Sequence, residues 1–458
     1  MTRLKILKRS LLYYFTKFDI FNFLRHKYLF FTHHKYLIRS YIYFRALEKH
    51  LESKNINDTK EFHDTFSKYW VRSKKLGEKW WKTFFILLDR NLEEKNIYEN
   101  FLEFSKKLDP GLLTVYEWLE LYNFCMFLKL TELGLILRNL SVESALKIDI
   151  KKFNPLNRFK LGALVEQNKY NEALMIVDKL SHNQFNPNQK KLMIWFINLL
   201  KGEKISSSEL FEKDEYFLNF NNILLNKKIA LITSKKINKN ITKELNEFDL
   251  IGRYNIHNSQ NFDFSKTGNR TDISVLVNAL QDFNKETNIS KDIQSFIFYD
   301  YLKFRKFNIE FKKKFKNVKA PYYLRDNFTA KLLISAPNSQ LRTILLLLMF
   351  DLKKIKIFNS DMVISLNYEK DYEKNIKKLS RGYKKKFSLQ GALVNKCPFF
   401  DFIITKRLYQ KKLIDCDNEL VSILSKSLPE YAKMLQTKHF TPFKSIRKNF
   451  VILKRNIS

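Results

Sequence analysis

Hydrophobic and polar positions divide the chain into four stretches. In residues 1–45 bulky apolar residues are interleaved with Lys and Arg and almost no acid, as in Leu11-Leu12-Tyr13-Tyr14-Phe15 beside Lys8, Arg9 and Lys17. This is the pattern of an amphipathic helix with an aromatic face and a cationic face, laid on a head-group layer or docked on the chain's own core. Residues 46–215 carry apolar positions at helical spacing and predict an all-α domain of packed hairpins. Its anchors are Trp70, Trp80 and Trp81; an apolar helix is expected from Leu112 to about Leu137, and a helix–turn–helix from Phe159 to Leu174. In residues 216–440 the pattern changes to short apolar runs that end in small polar turns and lead into helices. That alternation predicts an open α/β sheet, with strands at Ile229–Ile232, Leu250–Arg253, Ile273–Leu276, Leu332–Ser335 and Ile355–Phe358. A helix is expected from Asp401 to about Lys411, and Asp415–Gln436 reads as helical. Residues 441–458 form a basic tail.

Composition sharpens this reading in three places. Gly (9) and Pro (8) are scarce while Phe (42) and Tyr (22) abound in 458 residues, which favours helices over an all-β build. The formal net charge of +36 attracts polyanions: nucleic acid, anionic lipid or phosphorylated substrates. The bland alternative is compositional, because Lys, Asn, Ile and Phe are all enriched as in an AT-biased coding sequence. The basic residues are spread along the chain, with no zinc spacing, RNA-recognition block or helix-turn-helix, so no nucleic acid is expected. Cys125, Cys397 and Cys416 form no short-spaced pair, which argues against a disulfide framework and a structural zinc and for a reducing cytoplasm. His26, His33 and His34 have no carboxylates beside them, so neither metal nor cofactor is expected. No apolar run reaches the ~18 residues of a spanning helix, and no cleavable signal peptide is expected.

Four turns carry the candidate chemistry. Thr233-Ser234 follows the first strand; Asp249-Leu250-Ile251-Gly252-Arg253-Tyr254-Asn255 contains the second. Thr267-Gly268-Asn269-Arg270-Thr271-Asp272 precedes the third, and Pro337-Asn338-Ser339-Gln340 opens a leucine-rich helix. None has the Gly-rich loop of a dinucleotide or P-loop site. Taken in order, the set resembles the sialyltransferase-like glycosyltransferases of bacterial capsule and lipopolysaccharide synthesis, over roughly residues 228–415. The Phe159–Leu174 hairpin resembles a single tetratricopeptide-type unit, too few for an array.

The resemblance implies a Rossmann-like glycosyltransferase domain that moves a sialic acid or Kdo-type sugar from a CMP-sugar donor to a glycan or glycolipid acceptor. It implies substrate contacts at Thr233, Ser234, Arg253, Asn255, Arg270, Thr271, Asn338, Ser339 and Gln340. For Arg253 and Arg270 the alternative is strand-edge salt bridging, and for Asp272 bracing of its own turn. One departure concerns the chemistry. Capsule-type relatives carry His-Asp-Pro before an aromatic helix, where this chain reads Lys396-Cys397-Pro398 ahead of Phe400-Asp401-Phe402 and Lys406-Arg407-Leu408-Tyr409. Lys396 would meet a phosphate as a point charge but cannot repeat a neutral imidazole's role. Asp272 and Lys396 are therefore the candidate catalytic residues. A catalytically degenerate transferase fold kept as a scaffold, or a basic nucleic-acid-binding helical protein, are the competing readings. The expected location is cytoplasmic, on the inner face of the membrane, with residues 1–45 on anionic lipid.

Overall fold

A computed structural model of the protein describes residues 76, 79, 80, 83, 84, 95–127, 129–150, 156–180, 187–203, 215–233, 235, 239–254, 265–276, 293–298, 322–323, 338–365 and 397–440. The expected strand Leu332–Ser335, the amphipathic stretch 1–45, the tail 441–458, and the candidate residues Ser234, Asn255 and Lys396 lie outside these. Two compact units are distinguished: residues 1–98 with 442–458, and Glu99–Thr441. In the first, Trp80 is buried and stacks on Phe84 at 5.3 Å.

The second unit contains a seven-stranded sheet, parallel throughout: β1 Lys228–Ile232, β2 Leu250–Tyr254, β3 Ile273–Leu276, β4 Ser295–Phe298, β5 Tyr322–Tyr323, β6 Lys354–Phe358 and β7 Asp415–Cys416. The strand order is β5-β4-β3-β2-β1-β6-β7. A parallel sheet is covered on both faces, so its strands read as near-continuous apolar runs. β2, β3 and β4 are buried at every position. Four of the five expected strands are therefore present. β4 was hidden because Phe296-Ile297-Phe298 is short and lacks a turn signal. The reading of 415–436 as helical is corrected at its start: Cys416 pairs with Ile357 in β7 before helix begins.

Among the described residues, six helices of this unit precede the sheet: α1 Lys95–Lys106 (reaching back across the boundary), α2 Val115–Phe127, α3 Thr131–Leu146, α4 Asn157–Glu166, α5 Tyr170–Lys179 and α6 Pro187–Lys201. Around the sheet lie α7 Glu215–Leu224, α8 Thr242–Leu245, α9 Ser339–Leu347, α10 Pro398–Gln410, α11 Asn418–Leu424 and α12 Leu428–His439. The single apolar helix expected over 112–137 is instead two. Lys129 takes φ 64°; its N–H donates to Met126 O and that of Leu130 to Cys125 O, a Schellman closure. Across this break α2 and α3 pack tightly, and a Cβ on Gly134 would lie only 2.9 Å from Met126 Sδ. The α4–α5 hairpin stands where expected, turned by Asn168 at φ 59°.

The helices before the sheet and those after it share contacts. Thr131 Oγ1 donates to Ala432 O at 2.6 Å, and Gln436 Nε2 to Glu132 Oε2 at 2.8 Å. Arg407 Nη1 donates to Val165 O at 2.8 Å at the end of α4. Among the described residues no helix is long and apolar enough to cross a membrane.

Candidate functional site at the strand switch point

The sheet grows outward from β1 in one direction through β2 to β5, and in the other through β6 and β7. Order reverses between β1 and β6, and in open α/β sheets ligands bind outside the carboxyl ends of the strands at that point. Four segments meet there. Thr233 follows β1; its N–H donates to Phe358 O at 3.2 Å, and its hydroxyl donates to Asn359 O. Asn359, at φ 60°, donates its N–H to Asp417 Oδ2 at 2.5 Å and its side-chain amide to Lys235 O. Ser360 Oγ donates to Gln340 Oε1 at 2.7 Å, tying the start of α9 to the turn after β6. Lys235 Nζ pairs with Asp361 Oδ2 at 3.6 Å and with Glu419 on α11.

Local chemistry explains why each piece holds its place. Asp417 caps α11 by accepting from Leu420 N at 2.9 Å. Burial pushes its carboxyl above the usual range, while the bonds from Asn359 and Leu420 oppose that shift. Asp361 folds back on its own loop, accepting from Val363 N at 3.2 Å and Ser365 N at 2.7 Å. The result is a cluster of hydroxyls, amides and carboxylates around the Lys235 ammonium, bonded to one another at the carboxyl edge.

At the start of α9 the chain supplies a carboxylate of its own. Asn338 caps the helix through Leu341 N at 2.8 Å, but its own N–H points to Asp401, at 3.1 and 3.2 Å from the two carboxyl oxygens. Asp401 is buried on α10. A helix N-terminus attracts negative charge, and here the Asp401 carboxyl group meets the N-cap amide. Ser339 offers its carbonyl to Thr343 Oγ1 at 2.7 Å.

Of the candidate substrate-binding residues, Thr233, Asn338, Ser339 and Gln340 lie at this carboxyl edge. Arg253, Arg270, Thr271 and Asp272 form a different constellation. Arg253 is buried and donates to Thr267 Oγ1, Thr267 O, Gly268 O and Arg270 O at 2.7–3.1 Å. Burial draws its guanidinium down to about 10, with Asp272 opposing, so it stays charged at neutral pH. Asp272, immediately before β3, accepts from Ile251 N at 2.8 Å, Gln294 Nε2 at 3.2 Å and Arg270 Nε at 3.0 Å. Arg270 reaches on to the carbonyls of Phe248 and Asp249, before β2. At about 3.3 Å per residue the four residues of β3 place Asp272 roughly 13 Å from the carboxyl end of that strand. Thr271 is buried beside it.

Asn359, Ser360, Asp361 and Asp417 were missed in the sequence. A signal existed: Asn359-Ser360-Asp361 is a polar triplet directly after the apolar run of β6, the same strand-then-turn pattern that singled out Thr233. Cys125, Cys397 and Cys416 are all buried and free. Among the described residues no cluster of His, Cys, Asp and Glu is arranged to hold a metal. Comparison with protein families, curated proteins and solved structures finds nothing that matches the chain.

Proposed function

We propose that the protein is a glycosyltransferase that takes a nucleotide-activated sugar, of the CMP-sugar class, in the crevice between the ends of β1 and β6. The observation that carries this reading is the convergence of Thr233 and Gln340, from turns more than 100 residues apart, on the Asn359–Asp361 turn at the switch point. Side-chain amides and carboxylates at such a place bind ribose and sugar hydroxyls, as acidic residues beyond a strand end do in nucleotide-binding sheets. With Asp401 seated at α9, the phosphate is assigned to the basic side chains instead, Lys396 among them. Lys396 would stabilise the departing phosphate, an interaction that strengthens as charge develops and so raises the rate more than the affinity. The acceptor is a glycan or glycolipid, and residues 1–45 hold the enzyme on anionic lipid. The helices that precede the sheet, α1 to α6, serve as support.

Calorimetric titration of the parent with CMP, UDP and GDP tests this directly. CMP is expected to bind, and Thr233→Val and Gln340→Ala are each expected to weaken it about tenfold, the loss of one good hydrogen bond. A parent that binds none of the three nucleotides, or variants that bind CMP as the parent does, would overturn the assignment.

A further inference from the structure

The turn that follows β6 is held in a conformation that Met362 and Val363 disfavour. Asn359, Met362 and Val363 have φ of 60°, 51° and 72°. Asn tolerates the left-handed region, but a β-branched valine there is an outlier. Such conformations persist only where the surroundings over-determine them, and they gather at functional sites.

The surroundings here come from α12. Tyr431 Oη donates to Met362 O at 2.5 Å, and His439 Nε2 stands 3.0 Å from Val363 O. Because that partner is a carbonyl, Nε2 must carry the proton. Eight residues apart, the two side chains share one face of the helix. Tyr431 is placed by packing independent of its hydroxyl: its ring stacks on Phe402 at 4.5 Å and meets Phe399 edge-on at 6.3 Å. Burial raises the phenol far above its ordinary pKa, so it remains a donor at any working pH. The helix itself is pinned to α3 through Thr131 and through the paired Glu132 and Gln436.

We infer that Tyr431 and His439 are positioning residues: by holding the carbonyls of Met362 and Val363 they keep these two residues in the left-handed region. That conformation sets Asn359, Ser360 and Asp361 toward Thr233, Gln340 and Lys235. The geometry of the turn stands by itself; calling the crevice a nucleotide site rests on the reading above.

Amide hydrogen exchange on the full chain, followed with CMP affinity, separates the two. Tyr431→Phe and His439→Leu are expected to speed exchange at Val363 and Ser365 about tenfold, the consequence of losing one buried hydrogen bond, and to weaken CMP by a similar factor. His439→Gln, which keeps an N–H donor near the same point, should restore parent behaviour. Lys433→Ala, on the exposed face of α12, should change nothing. Amides of β1 should be unaffected throughout. Parent-like exchange at the turn in both Tyr431→Phe and His439→Leu overturns the inference, as does equal acceleration at β1, which would mean general loosening. If the parent binds no nucleotide, the functional reading fails, and the exchange data still decide whether Tyr431 and His439 hold the turn.

Discussion

Asp272 shows how burial and bonding separate a brace from a reagent. Its carboxyl group is saturated by the backbone of β2, the amide of Gln294 and the guanidinium of Arg270, and burial raises its pKa against those bonds. Removing it strands the buried N–H of Ile251, which costs about 1–3 kcal/mol. Asp272→Ala is therefore expected to lower stability by that amount in urea unfolding and leave CMP affinity per folded molecule unchanged. Unaltered stability with lost affinity would instead place Asp272 in the site. The residues of this brace were legible in the sequence as a block, Gly268 to Asp272, because a polar turn before an apolar run is a local signal. Their direction was not legible, since a turn before a strand and a turn after one have similar composition.

At the scale of elements, helix ends explain the main misreading. Among the described residues four helices close by Schellman hydrogen bonds, with Lys129, Asn168, Gly202 and Lys412 in the left-handed position. Only one of these is glycine, the usual marker. With 9 glycines in the chain, Lys and Asn take that role at a cost of about 1–2 kcal/mol each, offset by packing such as that of α2 against α3. A second feature of the helices was equally silent. Arg138 on α3 and Glu166 on α4 form an ion pair with side chains 3% and 5% exposed. Arg407 of α10 donates to the carbonyls of Val165 and Glu166 beside it. Breaking a buried pair leaves an uncompensated charge. Arg138→Met should cost about 3–5 kcal/mol in urea unfolding, and Arg138→Met with Glu166→Met should recover most of that loss. A double variant no more stable than the single would show that the charge pair is not the source of the cost.

At the scale of the molecule, charge is the property most open to experiment. A chain of net charge +36 gains about 1 kcal/mol for each basic residue brought to an anionic membrane surface, an attraction screened over about 10 Å at 0.1 M salt. The protein is expected to sediment with phosphatidylserine-containing vesicles at low salt and to be released as salt rises. Deletion of residues 1–45 should abolish sedimentation at moderate salt. Binding that survives the deletion would assign membrane attraction to the remaining surface and those residues to another task.

The sequence alone determined the α/β class, because strands buried on both faces must be apolar runs, and it located β1, β2, β3 and β6 to within a residue at either end. It also marked Thr233 and Gln340, since a strand end and a helix start carry local polar signatures. Only the tertiary structure decided that strand order reverses between β1 and β6, which brings those two residues to one turn. Only it showed that Asp401 meets the amide of Asn338 at the start of α9 and that Tyr431 and His439 reach the carbonyls of Met362 and Val363. Each of these depends on pairing between residues distant in the chain, and such pairing leaves no period, cap or run of its own in the sequence.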